Sequence, residues 1–174
     1  MTAFLLRKQR WCDTMKEINP IHIEKLIELA NQSPYCRLLG LQIIEVSPGR
    51  SKIICRAGRQ MENMFGGIHG GVYAALVDTA AYWAAFCSLE ADCGCTSIDL
   101  YVNNLASTRG NTLTAEGLLI KAGHKLCVSS VLITDESGKQ IAYGSGKLMI
   151  LHERQSIRQS TENLGYPPLP PKFL

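Results

Sequence analysis

Ile68-His69-Gly70-Gly71-Val72-Tyr73-Ala74-Ala75-Leu76-Val77-Asp78-Thr79-Ala80-Ala81-Tyr82-Trp83-Ala84-Ala85-Phe86-Cys87 is the stretch on which the fold turns. It is rich in alanine and almost wholly apolar, with Asp78 and Thr79 as its main polar interruptions. Read as a helix at about 1.5 Å per residue, it spans roughly 25–30 Å. A helix that is apolar on every face has to be buried on every face. Toward the C-terminus, residues 96–105, 112–121, 125–134 and 140–151 alternate or are rich in β-branched residues, which predicts four strands. Turn chemistry separates them at Arg109-Gly110-Asn111, at Ala122-Gly123-His124 and over residues 135–139. Toward the N-terminus, residues 38–46 and 51–57 read as a hairpin around Ser47-Pro48-Gly49-Arg50. Before it, Asn19-Pro20 opens an apolar stripe of helical spacing that ends near Ser33-Pro34. The order predicts an α+β fold, a long central helix wrapped by a continuous antiparallel β-sheet, with an extra N-terminal helix.

This divides the 174 residues into an N-terminal extension and helix (1–34), a main domain (35–152) and a Pro-rich tail (153–174). The first fourteen residues show no clear period and read as a loose extension. The tail carries Pro167, Pro168, Pro170 and Pro171, cannot pair in a sheet, and is expected to run extended over the surface. With 46% hydrophobic and 19% charged residues the chain is composed like a globular protein. A net charge of +3 argues against a dedicated nucleic-acid binder but leaves room for a phosphate-bearing ligand. No apolar run reaches the roughly 18 residues that a membrane span needs, and no signal peptide is evident, so no membrane partner is expected. Seven cysteines, an odd number set mostly in apolar runs, fit a reducing cytoplasm. Cys93-Gly94-Cys95 is their one close pair and lacks the partners of a zinc site, so no metal is expected.

Asp78 is the residue hardest to explain structurally. A carboxylate in the middle of an apolar helix is desolvated and lies too far from the helix N-terminus to gain from it. Either it is a buried structural Asp bonded to backbone or to Thr79, or it is a base or nucleophile usable near neutral pH. His69-Gly70-Gly71 opens the same helix. Its free N–H groups suit a developing oxyanion, although glycines and a capping histidine are also common at helix starts. Asn63, six residues earlier, reads either as a site residue or as a turn residue bonded to its own backbone. Gly70 and Asp78 stand eight residues apart, hence about 12 Å along one helix. A reacting carbonyl needs both within about 3 Å, so one copy of the helix cannot supply both. Acting together, they require two such helices, antiparallel, at a two-fold interface between copies.

Asn63, His69-Gly70-Gly71 and Asp78-Thr79 at this spacing resemble the signature of the PaaI-like (phenylacetate-pathway type) acyl-CoA thioesterases of the hotdog-fold superfamily, and the expected elements match that fold over residues 35–151. The resemblance implies hydrolysis of an acyl-CoA thioester by a homodimer or dimer of dimers. Asp78 would act as base or nucleophile, the Gly70 N–H of the facing subunit would polarise the carbonyl, and Asn63 and His69 would place substrate or water. Ser97, in Thr96-Ser97-Ile98-Asp99, matches the hydroxyl that some members use before the strand after the helix, or else simply bonds the strand backbone. Gly71, Thr79, Lys121, His124 and Lys125 are the positions expected to touch substrate, the last three in a basic turn like the family's. Arg109 and Lys139 are further cations near strand ends. No cofactor is implied beyond the coenzyme A of the substrate. A hotdog dehydratase and a non-catalytic acyl-CoA-binding module are the alternatives. The first lacks its Pro-rich loop around His69, and the second would be expected to lose the helix carboxylate.

Overall fold

The computed structural model describes residues 16–91, 93–109 and 112–174. The loose extension expected over residues 1–14, and the Gly110-Asn111 turn, lie outside these. The elements in order are α1 (Pro20–Ala30), α2 (Pro34–Leu38), β1 (Leu41–Ser47), β2 (Arg50–Arg56), α3 (Gly70–Phe86), β3 (Cys93–Asn104), β4 (Thr112–Ala122), β5 (Leu126–Asp135), β6 (Gln140–His152) and α4 (Ile157–Leu164), with a 3₁₀ turn at Arg59–Met61. The six strands form one antiparallel sheet in the order β1-β2-β4-β5-β6-β3. It curls around α3, as the sequence predicts.

Alternation places Ile53, Cys55, Leu113, Ala115, Val131, Ile133 and Ala142 on the inner face, fully covered against Leu76, Val77, Ala80 and Ala81 of the helix. Each large side chain among these contributes about 1.5–3 kcal/mol by leaving water. The alanines let the helix come very close to the strands, and the strands answer with small residues. A Cβ at Gly117 would lie 2.4 Å from the Ala80 carbonyl oxygen, and one at Gly144 2.7 Å from a Val77 methyl. Two strand serines meet helix carbonyls at the same crossing. Ser51 Oγ donates to the Ala80 carbonyl (2.7 Å) and Ser129 Oγ to that of Ala81 (3.0 Å). The nearest contact is helix backbone, which cannot yield by a rotamer change. Gly117→Ala is therefore expected to destabilise the fold by about 2–3 kcal/mol, read by urea denaturation. A loss under about 1 kcal/mol would mean that the helix can retreat from the sheet.

Two expectations need correction. The helix is not covered on every face: Ala74, Asp78, Thr79, Tyr82 and Trp83 keep partial exposure along one side, and Gly71 is exposed. The sheet wraps the other sides, and no described residue closes this stripe fully. The tail, in turn, does not simply run extended over the surface. Residues 157–164 form α4, started by a capping box in which Ser156 and Gln159 exchange hydrogen bonds and ended by Gly165 in the left-handed region. Beyond the prolines the chain turns inward. Asn19 donates from its backbone to the Lys172 carbonyl and from its side chain to that of Pro171 (both 2.9 Å), and Lys172 is only 4% exposed. Its ammonium donates to the carbonyls of Phe86 (2.7 Å) and Leu89 (2.6 Å) and lies 4.0 Å from the Phe86 ring centre. A buried cation thus caps the C-terminal end of α3.

Candidate active site

Asp78 sits on the half-open stripe of α3, two turns into the helix. Ser97 Oγ donates to Asp78 Oδ1 at 2.5 Å, from the strand beside it. That contact depends on the parity of β3. Cys95 and Ser97 face the helix, and a bulge between Ser97 and Asp99 inserts Ile98 against β6. After the bulge it is Leu100, near the position a Cβ on Gly146 would take against Ala81, that faces the helix. Asp99 is turned instead into an ion pair with Lys147. A β-bulge re-aims side chains in this way. Asp78 is therefore neither sealed in a core nor bonded to Thr79. The Thr79 hydroxyl donates back to the Ala75 carbonyl (2.8 Å), inside its own helix.

At the helix start, His69 is the N-cap, and its Nδ1 accepts from the Gly71 N–H at 2.9 Å. This leaves the other ring nitrogen to carry the proton. The His69 carbonyl accepts from Val72 N–H (2.9 Å). Gly71 and Val72 N–H are thus held by the cap, and no described residue accepts from Gly70 N–H. Of the first-turn donors, Gly70 is the one left for a ligand. Asn63 takes the bland alternative in part: its Oδ1 accepts from Phe65 N–H (2.9 Å) and Gly67 N–H (3.3 Å), shaping its own turn. The turn leaves Met64 and Phe65 90% and 80% exposed.

Asp78 and Gly70 belong to one rigid helix, so within one chain they stay about 12 Å apart along its axis. Lys121, His124 and Lys125 are exposed around the β4–β5 turn. That turn lies toward the C-terminal end of α3, because Cys127, paired with Ala122, packs in one cluster with Ala85. The chain itself does not bring this turn to Asp78. Arg109 is exposed, and Lys139 donates to the Ser107 carbonyl (3.0 Å). Burial pushes the thiols of Cys55 and Cys87 up to about 11 and that of Cys95 to about 12, so these three are poor nucleophiles. All six described cysteines are free. Tyr82, one turn beyond Asp78, keeps partial exposure on the same side of the helix.

The profile of the thioesterase superfamily matches residues 65–142, the span from the loop before α3 into β6. Human acyl-coenzyme A thioesterase 13 is 31% identical over 113 residues, 62% of this chain and 79% of that protein. The 1,4-dihydroxy-2-naphthoyl-CoA hydrolase of Listeria monocytogenes is 27% identical over 117 residues, 67% of this chain and 95% of that protein. Among solved structures, a Haemophilus influenzae thioesterase superposes with a TM-score of 0.72 at 23% identity, covering 81% of this chain and 98% of its own. The Escherichia coli PaaI protein does so with 0.67 at 21%, covering 75% and 93%. The two structures speak for the fold; the profile and the human relative carry the family. With a helix carboxylate, a glycine-rich helix start and a wrapped sheet in that order, the chain belongs to the thioesterase superfamily, as a hotdog-fold thioester hydrolase.

Proposed function

We propose that the protein hydrolyses acyl-CoA thioesters at a site shared by two copies of the chain. The observation that carries this reading is the hydroxyl–carboxylate pair of Ser97 and Asp78 on the one side of α3 that its own sheet leaves open. Both relatives quoted above are named for coenzyme A thioesters. In the proposed dimer, β3 meets its counterpart across a two-fold axis. β3 is one of the two edge strands of the sheet, with Ile98 52%, Leu100 37% and Tyr101 57% exposed, and an edge of this kind calls for pairing. The two α3 helices then run antiparallel along their open stripes, setting Gly70 of each opposite Asp78 of the other.

The thioester carbonyl oxygen accepts from the Gly70 N–H of one copy, which stabilises the negative charge that develops on it. Asp78 of the other copy takes a proton from water as the water oxygen bonds to the acyl carbon, or attacks that carbon itself and is released by water. The C–S bond breaks, and the sulfur leaves as coenzyme A. Ser97 holds the Asp78 carboxylate in one orientation. His69 and Asn63 border the carbonyl site, Gly71 and Thr79 flank it, and Lys121, His124 and Lys125 offer charge to the phosphates. No cofactor is needed, and free thiols suit a reducing cytoplasm.

Subunit complementation tests the shared site. Gly70→Pro removes the N–H donor at the first helical position, where proline is favoured, and the extended backbone of His69 (ψ 137°) suits a residue before proline. Gly70→Pro and Asp78→Asn are each expected to be inactive alone. Unfolded and refolded together in equal amounts, they should recover about one quarter of wild-type activity: half the dimers are mixed, each with one intact site of two. No recovery, with mixed dimers formed, rules out the sharing. Tight binding of acyl-CoA by a wild type that never turns over would point to a binding module instead.

A further inference from the structure

Tyr82, Gln155, Gln159, Ser160, Glu162 and Asn163 line a cleft of about 530 Å³ between α3 and α4. All but the first lie beyond residues 65–142, outside the span that the family profile matches. The cleft is therefore built by the C-terminal segment onto the superfamily core. Its position matters more than its size. Tyr82 follows Asp78 by one helical turn on the same half-open stripe, so the cleft begins about 6 Å along the axis from the carboxylate, the reach of roughly five methylenes.

Its lining is amide, hydroxyl and carboxylate, with the Tyr82 ring as the aromatic wall. No described residue accepts from the Tyr82 hydroxyl, and burial holds its phenol above the ordinary range, in the neutral donor form. The turn that leads into α4 is held firmly. Gly94 N–H donates to the Arg154 carbonyl (3.1 Å), and Glu153 and Gln155 sit at φ 57° and 50°, a left-handed backbone that non-glycine residues adopt at a cost. An alkyl chain laid here would cover these polar groups and give them no partners. A neutral hydroxyl both donates and accepts, and so satisfies an amide and a phenol at once. A second carboxylate would meet Glu162.

The antiparallel pairing adds the other wall. If residue 70 of one copy faces residue 78 of the other, an advance of four on one helix matches a retreat of four on its neighbour. Tyr82 then faces the 63–67 loop of the second copy, where Met64 and Phe65 are almost fully exposed in the single chain. The cleft gains an apolar roof over a polar floor.

We infer that this cleft is the acyl subsite, and that it selects acyl groups bearing a neutral hydroxyl about five or six carbons from the thioester. The inference rests on the hydrolase reading above, and the test separates the two. Hexanoyl-CoA and 6-hydroxyhexanoyl-CoA are compared by loss of thioester absorbance, for wild type and for Asn163→Leu and Tyr82→Phe. Asn163 is exposed on α4, so its replacement leaves the fold alone. Wild type should favour the hydroxylated ester by about tenfold or more in kcat/KM, and each variant should bring that ratio toward one. Turnover of both esters with a wild-type ratio at or below one overturns the subsite and leaves the hydrolase standing, as does a ratio that neither variant changes. Failure to turn over either ester, or any other acyl-CoA, overturns both.

Discussion

Asp78→Asn is expected to lower kcat/KM on any accepted acyl-CoA by about a thousandfold or more while the fold and its assembly persist. The asparagine keeps the size of the side chain and can still accept from Ser97 Oγ, so the strand–helix contact at 2.5 Å survives. What it loses is basicity and nucleophilicity, the two capacities the proposal requires. Thermal unfolding and gel filtration should match wild type. Ser97→Ala removes a partner that orients the carboxylate without touching its chemistry, and so should cost less, about 10–100-fold, mainly in kcat. If both replacements cost the same small factor, Asp78 is a structural carboxylate and the chemistry lies elsewhere.

The second large effect is on stability and comes from the other end of α3. Lys172→Met keeps the apolar stem but removes the ammonium from the Phe86 and Leu89 carbonyls and from the Phe86 ring. The Phe86 carbonyl keeps Leu89 N–H (3.1 Å), whereas the Leu89 carbonyl is left buried without a described partner. We expect a loss of about 2–4 kcal/mol at pH 7, or a fall in Tm of roughly 5–15 °C for a chain of this length. Calorimetry reads it directly. The loss depends on pH with a definite sign. Burial lowers the Lys172 ammonium from 10.5 to about 8. Between pH 8 and 10.5 the unfolded chain therefore binds more protons at this group than the folded one, and its contribution to stability rises with pH. As pH falls through 8 that gain is lost. Wild type should pull further ahead of Lys172→Met from pH 7 to 10. Cys87, whose raised thiol weakens the fold above pH 9, acts in both proteins, and losing the nearby Lys172 charge lets its thiol rise further in the variant, which widens the gap in the same direction. A gap that shrinks as pH rises would refute the buried-cation account.

Much of this architecture could be read from the residues. The apolar helix with a single carboxylate, alternating segments and Gly-rich turns are local patterns, and they predicted the helix and six strands to within a few positions. Asp78 stood out because its chemistry contradicts its neighbours. Other features depend on distance in space and leave no local trace. The Ile98 bulge shifts the parity of β3 by one residue, and nothing in Thr96-Ser97-Ile98-Asp99 announces it. Cys93-Gly94-Cys95 looks like a loop but starts the strand, since the turn at Arg154 packs against Gly94. Lys172 reads as a solvated lysine until the fold carries it to the end of a helix 86 residues away. The signals of α4 were present, Ser156-x-x-Gln159 before and Gly165 after, but the prolines that follow drew the reading toward extended chain. The polar cleft went unseen for the same reason, because four of its six lining residues lie in that helix.

The position of β3 in the sheet also bears on how the chain comes off the ribosome. β3 directly follows the apolar helix, yet it pairs with β6, the last strand to be made. Until β6 emerges, β3 has no strand beside it and the most hydrophobic segment of the protein has only part of its wrapping. Contacts that must wait for distant sequence form slowly and leave intermediates prone to aggregate. The same delay governs the chemistry, because Ser97 is fixed over Asp78 only when β6 closes on β3. The order of synthesis thus keeps the nascent chain without a complete site until nearly the whole domain exists.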